Sequence, residues 1–287
     1  MNLVLPLLAV VLLGIVVTFV SSRMTTALTA WVSILMLLIG AMTILPVLIH
    51  FSLSWLVGIP SFGPVLPRVM HGNGVHLVRQ PLLGVAASLF LVIAITRTAT
   101  LIVSHRRLRR THSGGIQIVS DSQMFAFALP GHDGGIVVSE GLMNGLRECE
   151  VEVVLAHEES HVMHRHDLWV LVGHICAVIN PFMLRPLAML RYALERIADE
   201  DAVSKCGDRH LVANTIAKVA LDRPHQPMFL GVATLGVTAR IYDIVTPRNP
   251  ARFSQELVSS VGLGTVAGLC VLQWHHVFLA VAKVCAN

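Results

Sequence analysis

Charge is what this sequence has least of. Asp, Glu, Lys and Arg make up only 13% of its 287 residues, against about 25% in ordinary soluble domains. Hydrophobic residues account for 54%. That balance excludes a freely soluble globular domain and points to an integral membrane protein with a modest water-facing part. Cysteine is sparse too. Cys149, Cys176, Cys206, Cys270 and Cys285 show no CxxC spacing, which excludes a zinc ribbon and a dense disulfide framework. They are expected as small buried apolar side chains. There is no internal repeat and no low-complexity tract. The first apolar run has no basic start and further runs follow it at once, so it is not expected to be a cleavable signal peptide.

What the chain has instead is apolar runs of membrane-spanning length, about 20 residues each. The clearest cover residues 3–20, 28–51, 82–103 and roughly 257–281. The net charge of +4 gains meaning from position, because His105-Arg106-Arg107-Leu108-Arg109-Arg110 directly follows the third run. Positive residues beside a span favour the cytoplasmic side, and the juxtamembrane setting argues against a nucleic-acid patch. Counting back, the amino terminus and the loop of residues 60–80 are expected outside, although Arg68 and Arg79 in that loop run against the rule. A fourth span puts the carboxyl terminus outside as well. The expected organisation is three transmembrane helices in 1–104, a cytoplasm-facing domain in 105–256, and a last helix with a short tail in 257–287. Paired spans are compatible with a homodimer in the plasma membrane.

Beyond the basic run, Gly114-Gly115 opens a stretch of short β-prone segments: residues 116–120, 125–129 and 136–139, punctuated by Pro130-Gly131 and Gly134-Gly135. A two- or three-stranded sheet is expected. Helical pattern then takes over, with Val151, Val154 and Leu155 leading into His157-Glu158-Glu159-Ser160-His161. The Arg147-Glu148 region offers this helix no good N-cap.

Four residues apart on a helix, His157 and His161 project from one face and can grip one metal ion. Glu158 sits beside that face, where its carboxylate can take a proton from water. Two imidazoles and a carboxylate suit Zn2+ better than magnesium or calcium. Three protein ligands with one open position define a catalytic zinc site, not a structural one. Two glutamates compete for the third place. Glu195 is preferred to Glu200 because Asp199 lies one turn beyond it and can orient a ligating histidine, as second partners of metal-bound histidines do. Asp201 is expected on an acidic solvated face, His164 and His166 at the surface, and Asp167 as the N-cap of the next helix. Arg97, inside the third span, is expected to face the bundle or a polar cavity. Phe125, Ala126, Phe127, Ala128 and Leu129 form a candidate edge strand able to pair with an extended peptide substrate.

Residues 168–190 are apolar enough to cross a bilayer, with a break at Asn180-Pro181. A single crossing would put His161 and Glu195 on opposite sides of the membrane. If they share an ion, the segment must form a helical hairpin turning near 180–186, with Arg185 and Pro186 at its tip.

The strings Ala126-Phe-Ala-Leu-Pro-Gly131, Ile136-Val-Val-Ser-Glu-Gly-Leu142 and Leu155-Ala-His-Glu-Glu-Ser-His161 resemble the integral-membrane metallopeptidases of the BlaR/MecR type. The Glu195–Asp199 motif is similar to theirs and to that of HtpX-like membrane proteases. The resemblance covers roughly residues 80–220. It implies zinc on His157, His161 and Glu195, a catalytic Glu158, and a cytoplasmic protease domain bracketed by spans. The fold it implies is a mainly α membrane protein with about four transmembrane helices, a zincin-like domain with a small β-sheet, and a membrane-associated hairpin. It further implies regulated proteolysis of a BlaI/MecI-like winged-helix repressor or of the protein itself, with HtpX-like quality control as the alternative. A metal-binding scaffold without proteolysis is a third reading, which Glu158 speaks against. The external penicillin-binding domain of the sensor-transducers has no counterpart before Asn287, so direct β-lactam sensing is not expected.

Overall fold

The computed structural model describes residues 24–56, 81–111, 114–131, 134–222 and 230–246, with positions 264, 268, 271 and 274. It is mostly helical. Two helices, α1 (Thr26–Leu56) and α2 (Pro81–Thr111), have 31 residues each. Both are long and apolar enough to cross a membrane, over Thr26–Leu53 and Pro81–Arg109. At 1.5 Å per residue each extends about 46 Å, more than the roughly 30 Å of a hydrocarbon core. The surplus on α2 includes the basic run. With no Gly or Pro from Arg97 to Thr111, nothing stops the helix at residue 104. The expected boundary there therefore falls inside a continuous helix.

The two helices are antiparallel, with Gly84 packed on Trp55 and Phe51. Thr26 Oγ1 donates to Glu200 Oε1 at 3.1 Å, and His105 faces Asp167 across 3.4 Å. The start of α1 and the later part of α2 thus each contact the rest of the protein. Residues 3–20, 60–80 and most of 257–281 lie outside the described residues. From the last of these segments, Trp274 Nε1 donates to the Met42 carbonyl at 2.9 Å. Arg97 is exposed among the described residues, and the first and last expected spans, which bear on its surroundings, lie wholly or mostly outside them. The packed stripe of α2 passes through Ala87 and Ala94 and continues at Thr98, one turn on, so Arg97 falls beside it.

The hairpin is present. Helix α5 (His166–Ile179) runs into a 3-10 turn at Pro181–Met183, and α6 (Leu184–Cys206) returns. Arg185 and Pro186 lie in the first turn of α6, where proline needs no N–H partner, instead of at the tip. The turn is tied to the middle of α1. Asn180 Nδ2 donates to the Gly40 carbonyl at 2.8 Å, while its Oδ1 accepts the Phe182 N–H at 3.2 Å. A methyl group at Gly40 would meet Met183 Sδ, so the Met183 side chain packs directly on the glycine at this crossing. Around it, Ala30, Ile34, Leu37 and Ala41 of α1 bury themselves against Cys176, Met183, Leu187, Leu190 and Leu194. Asn180→Ala is expected to lower stability by about 1–2 kcal/mol, read as a lower midpoint of thermal unfolding in detergent.

A three-stranded sheet lies on the other side of the domain: β1 (Gly115–Val119), β2 (Ala126–Ala128) and β3 (Gly135–Ser139), in the order β1-β3-β2. β1 is parallel to β3, and β2 is antiparallel to it, with Phe127 opposite Val137. β2 is shorter than expected, yet its flanks keep the ladder: Ser139 N–H reaches the Phe125 carbonyl at 3.0 Å and Leu129 N–H the Gly135 carbonyl at 2.7 Å. Ser139 then caps α3 (Glu140–Gly145), its Oγ accepting from Leu142 N–H at 3.1 Å.

Helix α4 (Glu148–Met163) follows. The Glu150 carboxylate supplies the start signal that the sequence lacked at Arg147, accepting the Arg147 N–H at 2.8 Å. One face of α4 packs on the sheet through Val151 with Ala126, Val138 and Leu142. The other packs through Val153 and Ala156 on Ala202, Val212 and Ile244, from α6, α7 (Arg209–Asp222) and α8 (Leu230–Val245). Cys176 is buried as expected, Cys206 is only partly buried and Cys149 is exposed, while Cys270 and Cys285 lie outside the described residues.

Candidate metal centre

Helices α4 and α6 cross so that one turn of each meets. His157 Nε2 and His161 Nε2 converge to 3.2 Å. Glu195 Oε2 lies 3.6 Å from His157 Nε2, and Glu195 Oε1 lies 3.7 Å from His161 Nε2. Nitrogen and oxygen ligands about 2.0–2.2 Å from a tetrahedral ion stand roughly 3.3–3.5 Å apart. The three side chains are thus spaced to share one ion, and they are the group of potential ligands that the described residues bring together. Glu200, the competing third ligand, points elsewhere. Its Oε1 holds Thr26 and Arg196 at 3.1 Å.

Behind the histidines stand their orienting partners. Asp199, 1% exposed, places Oδ1 3.1 Å from His157 Nδ1, as its spacing from Glu195 suggested. His161 Nδ1 meets His166 Nδ1 at 2.7 Å. With Nε2 offered to a metal, the His161 proton would sit on Nδ1, and His161 would then donate and His166 accept. His166 is therefore not the surface residue expected, being only 4% exposed. Arg165, between the two helices, takes φ 52° and ends α4, making Arg165 the N-cap of α5 and leaving Asp167 inside the first turn. That left-handed residue turns the chain so that His166, at the start of α5, meets His161. His164 stays largely exposed but contacts Asp201 at 3.0 Å, and Asp201 also accepts from Ser160 Oγ at 2.6 Å. Asp201 is solvent-exposed, its side chain 44% accessible, as expected, and is also bonded to α4.

These neighbours set the charges. Burial disfavours a proton on His157, but the Asp199 and Glu195 carboxylates outweigh it and raise its pKa to about 9. Burial and then the His157 charge lower His161 to about 4, and burial lowers His166 to about 3. Burial alone would raise the Asp199 carboxyl, yet Arg240 and His157 hold it below the usual range.

Arg240 of α8 is the participant that sequence reasoning missed. Its Nε and Nη2 donate to Asp199 at 2.8 and 2.6 Å, and Nη1 lies 2.8 Å from Glu195 Oε2. A signal existed: an isolated arginine in an apolar helical stretch needs an acidic partner. Glu158 lines the same cleft of about 300 Å³ as the metal-competent residues and Arg240. Its Oε2 accepts the Ala128 N–H at 2.8 Å. The Ala126–Val138 and Ala128–Ile136 pairs alternate with the bonded Phe127–Val137 pair, so Ala126 and Ala128 turn their backbone groups to the outer edge of β2. Phe127 and Ala126 form one side of the cleft, and Val153, Ile216, Val219 and Val237 make an aliphatic wall.

Two substitutions separate the histidine neighbours. His166→Ala is expected to weaken zinc binding by about 10–100-fold, and His164→Ala to change it little. Competition with a chelator of known affinity measures both.

The fold and cleft describe a helical metal-site domain joined to helices of membrane-spanning length. Residues 95–196 match the family described as Peptidase family M48, a stretch from α2 through β1–β3 to α6 that contains His157, Glu158, His161 and Glu195. Among individual proteins, the chain is similar to a Protease HtpX homolog of Campylobacter hominis, 46% identical over 54 residues, 19% of this chain and 18% of that protein. It is also similar to a Protease HtpX homolog of Campylobacter curvus, 45% identical over 67 residues, 22% of each. The similarity thus spans about a fifth of the length of these curated relatives. No solved structure matches the chain.

Proposed function

We propose that this protein is a membrane-bound zinc endopeptidase of HtpX-like character, with its cleft on the cytoplasmic side and both termini outside. The observation that carries the reading is the convergence of His157, His161 and Glu195 to ion-sharing distances in the cleft that also holds Glu158. His157, His161 and Glu195 would hold the ion. When bound, zinc supplies Lewis-acid polarisation of the scissile carbonyl and lowers the pKa of water. Glu158 takes the proton of the attacking water and returns it to the leaving amine. Asp199 and His166 fix the ring orientations of His157 and His161. The outer edge of β2 offers the Ala126 and Ala128 backbone to an extended substrate, and entry of such a strand gives the Ala128 N–H a new acceptor and releases Glu158. The aliphatic wall suits an apolar substrate side chain.

The substrate class follows the relatives. Similarity to proteins named Protease HtpX homolog favours quality control, the cutting of misfolded membrane proteins, over cleavage of a BlaI/MecI-like repressor, which rests on the sequence resemblance alone. In the test, full-length protein in detergent is loaded with zinc and given casein or a destabilised membrane protein. Cleavage that a chelator stops and added zinc restores is the expected result. Zinc-loaded protein that cuts neither substrate nor itself would overturn the reading in favour of a metal-binding scaffold.

A further inference from the structure

One guanidinium holds two carboxylates of the metal centre at once. Arg240 forks onto both oxygens of Asp199 through Nε and Nη2 and reaches Glu195 Oε2 through Nη1 at 2.8 Å. Asp199 Oδ1 in turn faces His157 Nδ1, and Glu195 Oε2 faces His157 Nε2. The contacts close a ring: His157, Asp199, Arg240, Glu195 and back to His157. One of the three proposed ligands, Glu195, and the carboxylate that faces another, His157, are both held by a residue from a different helix. Glu195 is the exposed member, its side chain 39% accessible, and a glutamate that free has several rotamers to lose on binding an ion. Asp199, by contrast, is fully buried and requires a cationic partner. A planar five-donor fork meets both demands; a lysine ammonium does not.

We propose that Arg240 is a positioning residue of the metal centre, holding Glu195 and Asp199 in the arrangement that receives the ion through its own direct contacts. The inference rests on the metallopeptidase reading of the same site. Charge alone predicts the opposite sign. A guanidinium beside the ion repels it, so if Arg240 acted only through its charge, its removal would tighten metal binding. Positioning predicts loss. Helix α8 has other fastenings, Tyr192 Oη to Asp243 at 2.9 Å, Arg196 to Asp243 at 3.3 Å and Arg209 to the Ile244 carbonyl at 3.2 Å. Its seating can therefore be loosened without touching the metal-site carboxylates.

The experiment measures zinc affinity of the full-length protein in detergent by chelator competition, with the visible spectrum of the cobalt-substituted protein as a second readout. Arg240→Gln is expected to weaken zinc binding about 10–100-fold and to shift the cobalt bands. Arg240→Lys, which keeps the charge and guards against a misfolded glutamine variant, is expected to fall between Arg240→Gln and wild type. Arg196→Gln, which loosens α8 at Asp243, should bind zinc within about twofold of wild type. Unchanged or tighter binding by Arg240→Gln overturns the proposal, as does an equal loss in Arg196→Gln. In either case, zinc-dependent cleavage by the wild type would leave the metallopeptidase reading standing. A wild type that binds no zinc would remove that reading and this one together.

Discussion

Glu158→Gln is expected to reduce peptide cleavage by about 10²–10⁴-fold while zinc binding stays within about twofold of wild type. The two halves of that outcome follow from position. Glu158 follows a ligand in sequence but lies outside the His157–His161–Glu195 group, so its loss removes a proton acceptor and not a metal ligand. Glutamine keeps the size of the side chain, and its amide oxygen can still accept the Ala128 N–H that Glu158 accepts at 2.8 Å. The edge strand therefore keeps its place, and the fall in rate is attributable to proton transfer. Casein cleavage or self-cleavage with added zinc provides the rate, and metal analysis of the same samples provides the occupancy. Equal cleavage by both proteins would remove Glu158 from the mechanism.

The second large effect distinguishes two neighbouring glutamates. Glu195→Gln is expected to weaken zinc binding by more than about 100-fold, beyond the range for lost orienting partners, and to abolish cleavage. Glu200→Gln should leave both close to wild type. The structure supplies the reason for the contrast. Glu195 oxygens stand 3.6 and 3.7 Å from the two Nε2 atoms, whereas Glu200 is engaged with Thr26 at the start of α1 and with Arg196. Glutamine at 195 keeps an oxygen but loses the negative charge that two neutral imidazoles need beside a dication. It also leaves Arg240 with one carboxylate instead of two. Zinc content after dialysis, measured alongside activity, checks both variants; retained zinc in Glu195→Gln would mean the third ligand lies elsewhere.

The metal-site helix was readable because its signal is periodic and local: two histidines one turn apart fix their own geometry once the segment is helical. The hairpin was readable for another reason. Requiring His161 and Glu195 to share an ion excludes a single crossing, and the chain does reverse at Asn180. The sheet followed from its Gly and Pro punctuation. What escaped sequence reasoning was long-range or depended on an irregular backbone. On a continuous helix His166 would project about 140° from His161, and only the left-handed Arg165 brings the two rings together. Arg240 is 41 residues from Asp199, on a helix with no motif to tie it to the centre.

The core shared by α1 and the hairpin has a consequence for where this molecule can be divided. Drawn along the sequence, a line near residue 104 separates anchor from catalyst, but in space Leu187, Leu190 and Leu194 rest on Ala30, Ile34 and Leu37. The helix that delivers Glu195 is seated on a membrane rod more than 130 residues earlier in the chain. Severed from that rod, α6 would show water an oily face and lose the surface that sets its height relative to α4. Helix α1 is thus half of the mould in which the candidate metal centre is cast, and a fragment without it would have to be redesigned, not merely cut.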